Sequence, residues 1–274
     1  MERIIVATDF SPAANNAVHY AAELARYFSA SLVLVNAYPF PPANYEMGFS
    51  VPLVASLKEA AEERLQSLKE ELSRTHNTDL EIDWAAEMGA PYDVIESVSR
   101  NEGADLIVMG IVGEAGKVKE KLMGSTALNV ARGFDIPALI IPENIKYHRI
   151  HKISFACDLN KTEETDLVYI AKYFSKLFDA ELEIINVEKP AEETSIEKAK
   201  TSVFMEKKLE SVNHKTVYIT GKDPVHELED YFASHQTDLI MLNPKKHNLF
   251  WHLFNHSVTK ELIFHAHLPI LAIH

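Results

Sequence analysis

The chain has 274 residues, 47% hydrophobic and 24% charged, the balance of a globular protein and length enough for two ordinary domains. A formal charge of −13 argues against nonspecific binding to nucleic acid or to an anionic membrane, because both need a basic face. No apolar run approaches the ~20 residues of a membrane helix, and a single cysteine, Cys157, excludes an intramolecular disulfide framework. With an N-terminus that lacks a basic n-region and a long apolar h-region, these features lead to the expectation of a reducing cytoplasm.

The first predicted element is a strand over residues 3–8, Arg3-Ile-Ile-Val-Ala-Thr8, which ends at Asp9. Ser11-Pro12 then opens a helix with an N-cap and a proline at its first position. Ala17, Tyr20, Ala21, Leu24 and Phe28 recur at helical spacing along it. A Val/Leu-rich strand follows over 31–36, then a Pro-bearing loop from Tyr38 and a charged surface helix over 57–74. Strands are predicted at 80–85, 106–109 and 138–141.

The loop after strand 106–109 is the most informative stretch. It carries Gly110, Gly113, Gly116 and Gly124 and closes on Ser125-Thr126, where an amphipathic helix begins. Glycines allow close backbone approach. A helix N-terminus offers free N–H groups and a positive dipole end, so the pattern suits a nucleotide's phosphates. A tight turn with an N-cap is the plainer explanation of the same residues. Asp9 has two readings as well, ligand contact or a cap on the following turn. Lys117, Lys119 and Lys121 also have two readings, approach to a triphosphate or, interleaved with Glu114 and Glu120, a solvated face.

From residue 143 the sequence repeats itself. Lys152-Ile-Ser-Phe-Ala-Cys-Asp158 aligns with Arg3–Asp9, Phe178-Asp-Ala-Glu-Leu-Glu-Ile-Ile-Asn186 with Phe28–Asn36, and Asp238-Leu-Ile-Met-Leu with Asp105-Leu-Ile-Val-Met109. Ser257 matches Ser125, and Leu268-Pro269 matches Ile136-Pro137. Five landmarks in one order imply a tandem duplication, with domains at 1–144 and 145–274 joined near 143–148. Alternating strands and helices in each half predict an α/β fold of two tandem, doubly wound, Rossmann-like parallel sheets. Ligands of such sheets bind beyond the carboxyl ends of the strands, where Asp9 and Gly110 fall.

The halves differ in chemistry. Eight of nine glycines lie in the first, and 11 of 13 histidines in the second. In place of the glycine loop the second half has Asn243, Pro244, Phe250, Trp251, Phe254 and His256, a cleft filled by its own side chains or reshaped for another ligand. His252 and His256 stand at i, i+4, a spacing zinc can use, but no carboxylate or cysteine completes a signature. Asp158 persists without the loop, so part of this aspartate's role is structural. No nucleophile–base set or Walker lysine is present, and no enzymatic activity is expected beyond slow hydrolysis of bound nucleotide.

These residues resemble the universal stress protein family, and the chain looks like a tandem two-domain member from end to end. Three places carry the likeness to its ATP-binding members: Asp9 after strand one, Ala37 after strand two, and a Gly-x2-Gly-x9-Gly-Ser/Thr pattern met by Gly110, Gly113, Gly124 and Ser125. Here ten residues rather than nine separate Gly113 from Gly124. The resemblance implies that Asp9 contacts the adenine or its neighbourhood, that Ala37 contacts the adenine by its main chain, and that the glycine loop and Ser125 hold ribose and phosphates. Thr8, Met109 and Thr126 complete the expected site, with ATP and magnesium as ligand. It further implies pairing of the last strands, 137–141 and 269–273, in an internal pseudo-dimer, a possible homodimer, and signalling to an unknown protein partner as nucleotide orders the loop. Two alternatives are a nucleotide-free scaffold and a small-molecule or metal sensor using the His-rich half.

Overall fold

The computed structural model describes residues 1–40, 51–76, 80–112, 125–157, 162–188, 205–221, 224–244 and 267–274. They form two compact units, Met1–Tyr147 and His148–His274.

In the first unit the strands are β1 (Arg3–Ala7), β2 (Ser31–Tyr38), β3 (Ile82–Met88), β4 (Leu106–Ile111) and β5 (Ala138–Pro142), in the spatial order β3-β2-β1-β4-β5. Every pairing among them is parallel. The helices are α1 (Pro12–Phe28), α2 (Val51–His76), α3 (Pro91–Asn101) and α4 (Ser125–Gly133). The α/β, parallel-sheet expectation is therefore met. β1 sits centrally because Ile4, Ile5 and Val6 are fully buried, as a strand covered on both faces requires.

Local chemistry explains the boundaries. Ser11 Oγ accepts the Ala14 N–H at 3.2 Å to start α1, and Ser29 in the left-handed region (φ 54°) ends it. The charged helix runs well beyond the predicted 57–74. Pro52 is tolerated in its first turn, and at its far end His76 Nδ1 lies 2.8 Å from Glu23 Oε1 on α1. β2 and β3 both continue past their predicted ends because they pair from Leu32↔Ile82 to Tyr38↔Met88. β4 also overruns its prediction: Gly110 is not in a loop but inside the strand, opposite Ile141.

The second unit contains β6 (Lys152–Ala156), α5 (Thr162–Phe178), β7 (Glu181–Glu188), β8 (His214–Thr220), α6 (Pro224–Ser234), β9 (Leu239–Leu242) and β10 (Ile270–Ala272). Its strands follow the order β10-β9-β6-β7-β8, again all parallel. By rank along the chain this is the order of the first unit. One residue is used identically in both. Asp105 Oδ2 accepts the N–H groups of Glu2 (2.6 Å) and Arg3 (3.1 Å), and Asp238 Oδ2 those of His151 (2.8 Å) and Lys152 (2.9 Å). This aspartate anchors the entry to the central strand where two backbone donors have no ladder partner.

Candidate functional site

The carboxyl ends of β1, β2 and β4 open into a cleft of about 220 Å³. β1 delivers Thr8 and Asp9 to it, β2 delivers Val35 and Ala37, and β4 delivers Met109, Gly110 and Ile111. Ala13 and Ala14 of α1, Pro91 and Ile95 of α3, and Thr126 and Ala127 of α4 close its walls.

The turn leaving β1 is tightly organised. Thr8 N–H donates to Val35 O at 2.8 Å, which continues the ladder one residue past the strand. Asn36 Nδ2 donates to Thr8 O at 2.7 Å from a buried position. Phe10 adopts φ 63°, unusual for a bulky residue. Two side chains stabilise it: Thr8 Oγ1 accepts the Phe10 N–H at 2.9 Å, and Asp9 Oδ1 accepts the Ser11 N–H at 2.9 Å. The Arg64 guanidinium of α2 stands 3.9 Å from the centroid of the Phe10 ring and stacks on it. One carboxylate oxygen of Asp9 thus has a structural role in an Asx turn.

Gly110 also has a structural reason to be glycine. A Cβ there would lie 2.3 Å from Ala13 O and 2.8 Å from Ala14 N. Only a residue without a side chain lets β4 pass beneath the first turn of α1. This brings the α1 N-terminus to the cleft, and neither α1 nor α4 has an acidic residue in its first turn. Asp9 is the one formal charge lining the cleft among the described residues.

Of the predicted site residues, the structure brings together Thr8, Asp9, Ala37, Met109, Gly110 and Thr126. Ser125 is the first residue of α4. Gly113, Gly116 and Gly124 lie outside the described residues, as do Lys117, Lys119 and Lys121. So do Asp158, Phe250, Trp251, His252, Phe254 and His256 of the second half. Pro91 and Ile95 were not anticipated. They belong to no motif, and only the α3 crossover places them over β2. Among the described residues no group of three His, Cys, Asp or Glu side chains could hold a metal ion, and no helix is long and apolar enough to cross a membrane.

The family model described as the universal stress protein family matches residues 1–142. Universal stress protein A homolog 1 of Coxiella burnetii is 30% identical over 126 residues, 46% of this chain and 85% of that protein. A universal stress protein of Methanocaldococcus jannaschii is 28% identical over 147 residues, 51% of this chain and 81% of its own length. Among solved structures, a universal stress protein from Archaeoglobus fulgidus superposes with a TM-score of 0.75 at 17% identity, over 99% of this chain and 97% of that one.

Proposed function

The chain belongs to the universal stress protein family, and from that premise we propose that its first unit binds an adenine nucleotide, ATP foremost, as a regulatory ligand. The observation that carries this reading is the convergence of Thr8, Asp9, Ala37, Met109, Gly110 and Thr126 on one cleft at the carboxyl ends of parallel strands. Its apolar wall, formed by Val35, Ile95 and Met109, suits a planar base. Its polar rim, formed by Asp9 and Thr126, suits a ribose. The cleft is smaller than the ~300 Å³ at which ligand pockets usually begin. The base and sugar fill it, and the phosphates extend towards the N-terminus of α4, whose positive dipole end favours an anion.

No lysine or arginine lines the cleft among the described residues. Helix termini and the magnesium that accompanies ATP offset the charge of the phosphates. Among the described lining residues Asp9 is the one carboxylate that could bind that ion, most of whose contacts go to phosphate and water. Two of the cleft's hydroxyls already hold backbone donors: Thr8 Oγ1 accepts the Phe10 N–H and Ser11 Oγ caps α1. Neither is paired with a base, which favours a ligand that is held over one that is turned over. The extra residue between Gly113 and Gly124 and the loss of the glycine loop from the second half favour the second reading, a scaffold acting through protein partners without nucleotide.

Mass spectrometry of ligand released from freshly purified protein, with calorimetric titration of ATP and magnesium, separates the two. One nucleotide per chain, with binding heat lost in Gly124→Val/Ser125→Ala, is the expected result. An empty protein that gives no heat with ATP or ADP overturns the nucleotide reading.

A further inference from the structure

The two units solve the same packing problem in opposite ways. In the first, α3 covers β1 and β2 through an apolar cluster of Ile5, Val33, Val35, Val94 and Val98, with Ala37, Ala85 and Ala104 against it. Strand register and the equal lengths of α3 and α6 give the matching positions in the second unit. Ile5 pairs with Val33, and Ser154 pairs with Glu183. Val98 is the eighth residue of α3, and Tyr231 the eighth of α6. Ala104 precedes Asp105 as Thr237 precedes Asp238. Ile, Val, Val and Ala of the first unit thus become Ser154, Glu183, Tyr231 and Thr237.

The four form one buried network. Glu183 is fully buried, and its Oε2 accepts from Tyr231 Oη at 3.1 Å and Ser154 Oγ at 3.3 Å. Ser154 Oγ and Thr237 Oγ1 share a hydrogen bond of 2.8 Å. Glu183 Oε1 is held by Lys215 Nζ at 2.6 Å and Lys152 Nζ at 3.1 Å. Lys215 lies directly across from Glu183 on β8, at the position of Asp83 on β3. Lys152 also donates to His235 O at 2.9 Å, just as Arg3 donates to Glu102 O at 3.0 Å.

Stability does not explain this substitution. A buried ion pair rarely outperforms well-packed apolar residues of similar volume, and the first unit shows that the fold accepts the apolar version. What the network adds is discrimination. A chain with two homologous halves risks packing one half's helix on the other half's sheet, the characteristic misassembly of repeat proteins. With α3 on β6 and β7, Glu183 would face valines and lose the Tyr231 hydroxyl. With α6 on β1 and β2, the Tyr231 ring would overfill the space of Val98 and bury its hydroxyl with no acceptor.

We propose that the Ser154–Glu183–Tyr231–Thr237 network is a self-recognition device that makes α6 pack only on its own sheet while the chain folds. The test uses the full chain, unfolded in guanidinium and refolded by dilution. The readout is the fraction that recovers the parent's hydrogen-exchange protection in α3 and α6. Replacing the network by the first unit's residues (Ser154→Ile, Glu183→Val, Tyr231→Val, Thr237→Ala) should lower that fraction several-fold. A compensated chain keeps those changes and moves the network to the first unit (Ile5→Ser, Val33→Glu, Asp83→Lys, Val98→Tyr, Ala104→Thr). It should restore recovery although it carries more substitutions. If the first variant refolds as well as the parent, or if the compensated chain recovers no better than the first variant, the proposal fails.

Discussion

Replacing Gly110 by alanine tests the packing that shapes the cleft. The added Cβ would meet Ala13 O at 2.3 Å, Ala13 C at 2.5 Å and Ala14 N at 2.8 Å, against the ~3.5–4.0 Å of a favourable contact. All three are backbone atoms of the first turn of α1, so no rotamer change relieves them. Overpacking a filled interior costs ~1–3 kcal/mol, and a clash with backbone alone belongs at the top of that range. At ~2–4 °C per kcal/mol for a unit of this size, the melting temperature of the first unit should fall by roughly 6–12 °C. Gly103→Ala is the contrast. Gly103 has φ 63° and open space around it, so its cost is the conformational ~1–2 kcal/mol alone. Hydrogen exchange of peptides from α1, β1 and β4 reads the effect unit by unit, with the second unit as internal reference. Unchanged protection in Gly110→Ala, or a larger loss in Gly103→Ala, would refute the reasoning and return Gly110 to the ligand. If the clash is confirmed, weaker nucleotide binding by a Gly110 variant says nothing about a phosphate contact.

Asp9→Asn keeps an oxygen for the Ser11 N–H and removes the charge. It should leave melting unchanged while weakening ATP binding about tenfold, the low end of a lost charged hydrogen bond; Asp9→Ala should also destabilise the turn, and equal affinity in parent and Asn variant by calorimetry would leave Asp9 a purely structural role. Arg64→Ala removes a stacking contact of ~0.5–1 kcal/mol from Phe10 and should speed exchange of the amides at residues 9–11, with the remainder of α2 unaltered. Glu183→Ala strips a buried charge from two lysines and should cost ~3–5 kcal/mol in the second unit by guanidinium titration. Burial pushes the Glu183 carboxyl up, but Lys215 and Lys152 outweigh it and hold the carboxyl lowered. Its contribution is therefore complete above the ordinary carboxyl value of 4.5 and is lost as pH falls through the lowered folded value. Tyr231, pushed up to about 12 by burial and by Glu183, contributes below pH 10 and loses that contribution as pH rises towards 12. Glu183→Gln should flatten the acid limb of the second unit's stability, and an unchanged limb would count against the ion pairs.

The sequence made the topology legible because its cues were redundant. Ser11-Pro12 could only begin a helix, the Val/Ile runs were too short for anything but buried strands, and the repeat allowed each half to check the other. The site was half legible. Asp9 and Gly110 stood out as chemistry, yet both also answer to local packing, one through an Asx turn and the other through the backbone of α1. Periodicity does not carry such contacts, because they join residues that are distant in sequence or depend on a left-handed turn such as that at Phe10. The α3 wall of the cleft was invisible for the same reason. Glu183 was hidden differently: in a strand that reads Glu-Leu-Glu-Ile-Ile, a glutamate looks like a solvent-facing position. Its burial is compensated by Lys215 and Lys152 and by the hydroxyls of Tyr231 and Ser154, partners drawn from other elements.

Comparing the halves position by position separates what the fold requires from what one unit has taken on. Asp105 and Asp238 make the same two backbone hydrogen bonds, and the N–H groups of Thr8 and Cys157 reach Val35 O and Ile185 O alike at 2.8 and 3.0 Å. These belong to the topology and carry no functional weight. Gly110 does not persist: its counterpart is Asn243, and β9 stops at Leu242 where β4 runs on to Ile111. A side chain at that position cannot coexist with a helix first turn as close as α1 is to β4, where even a Cβ would be 2.3 Å from backbone. Asn243 therefore does not fit the close strand–helix approach that forms the floor of the first unit's cleft. This confines the nucleotide proposal to the first unit and predicts one ligand per chain rather than two.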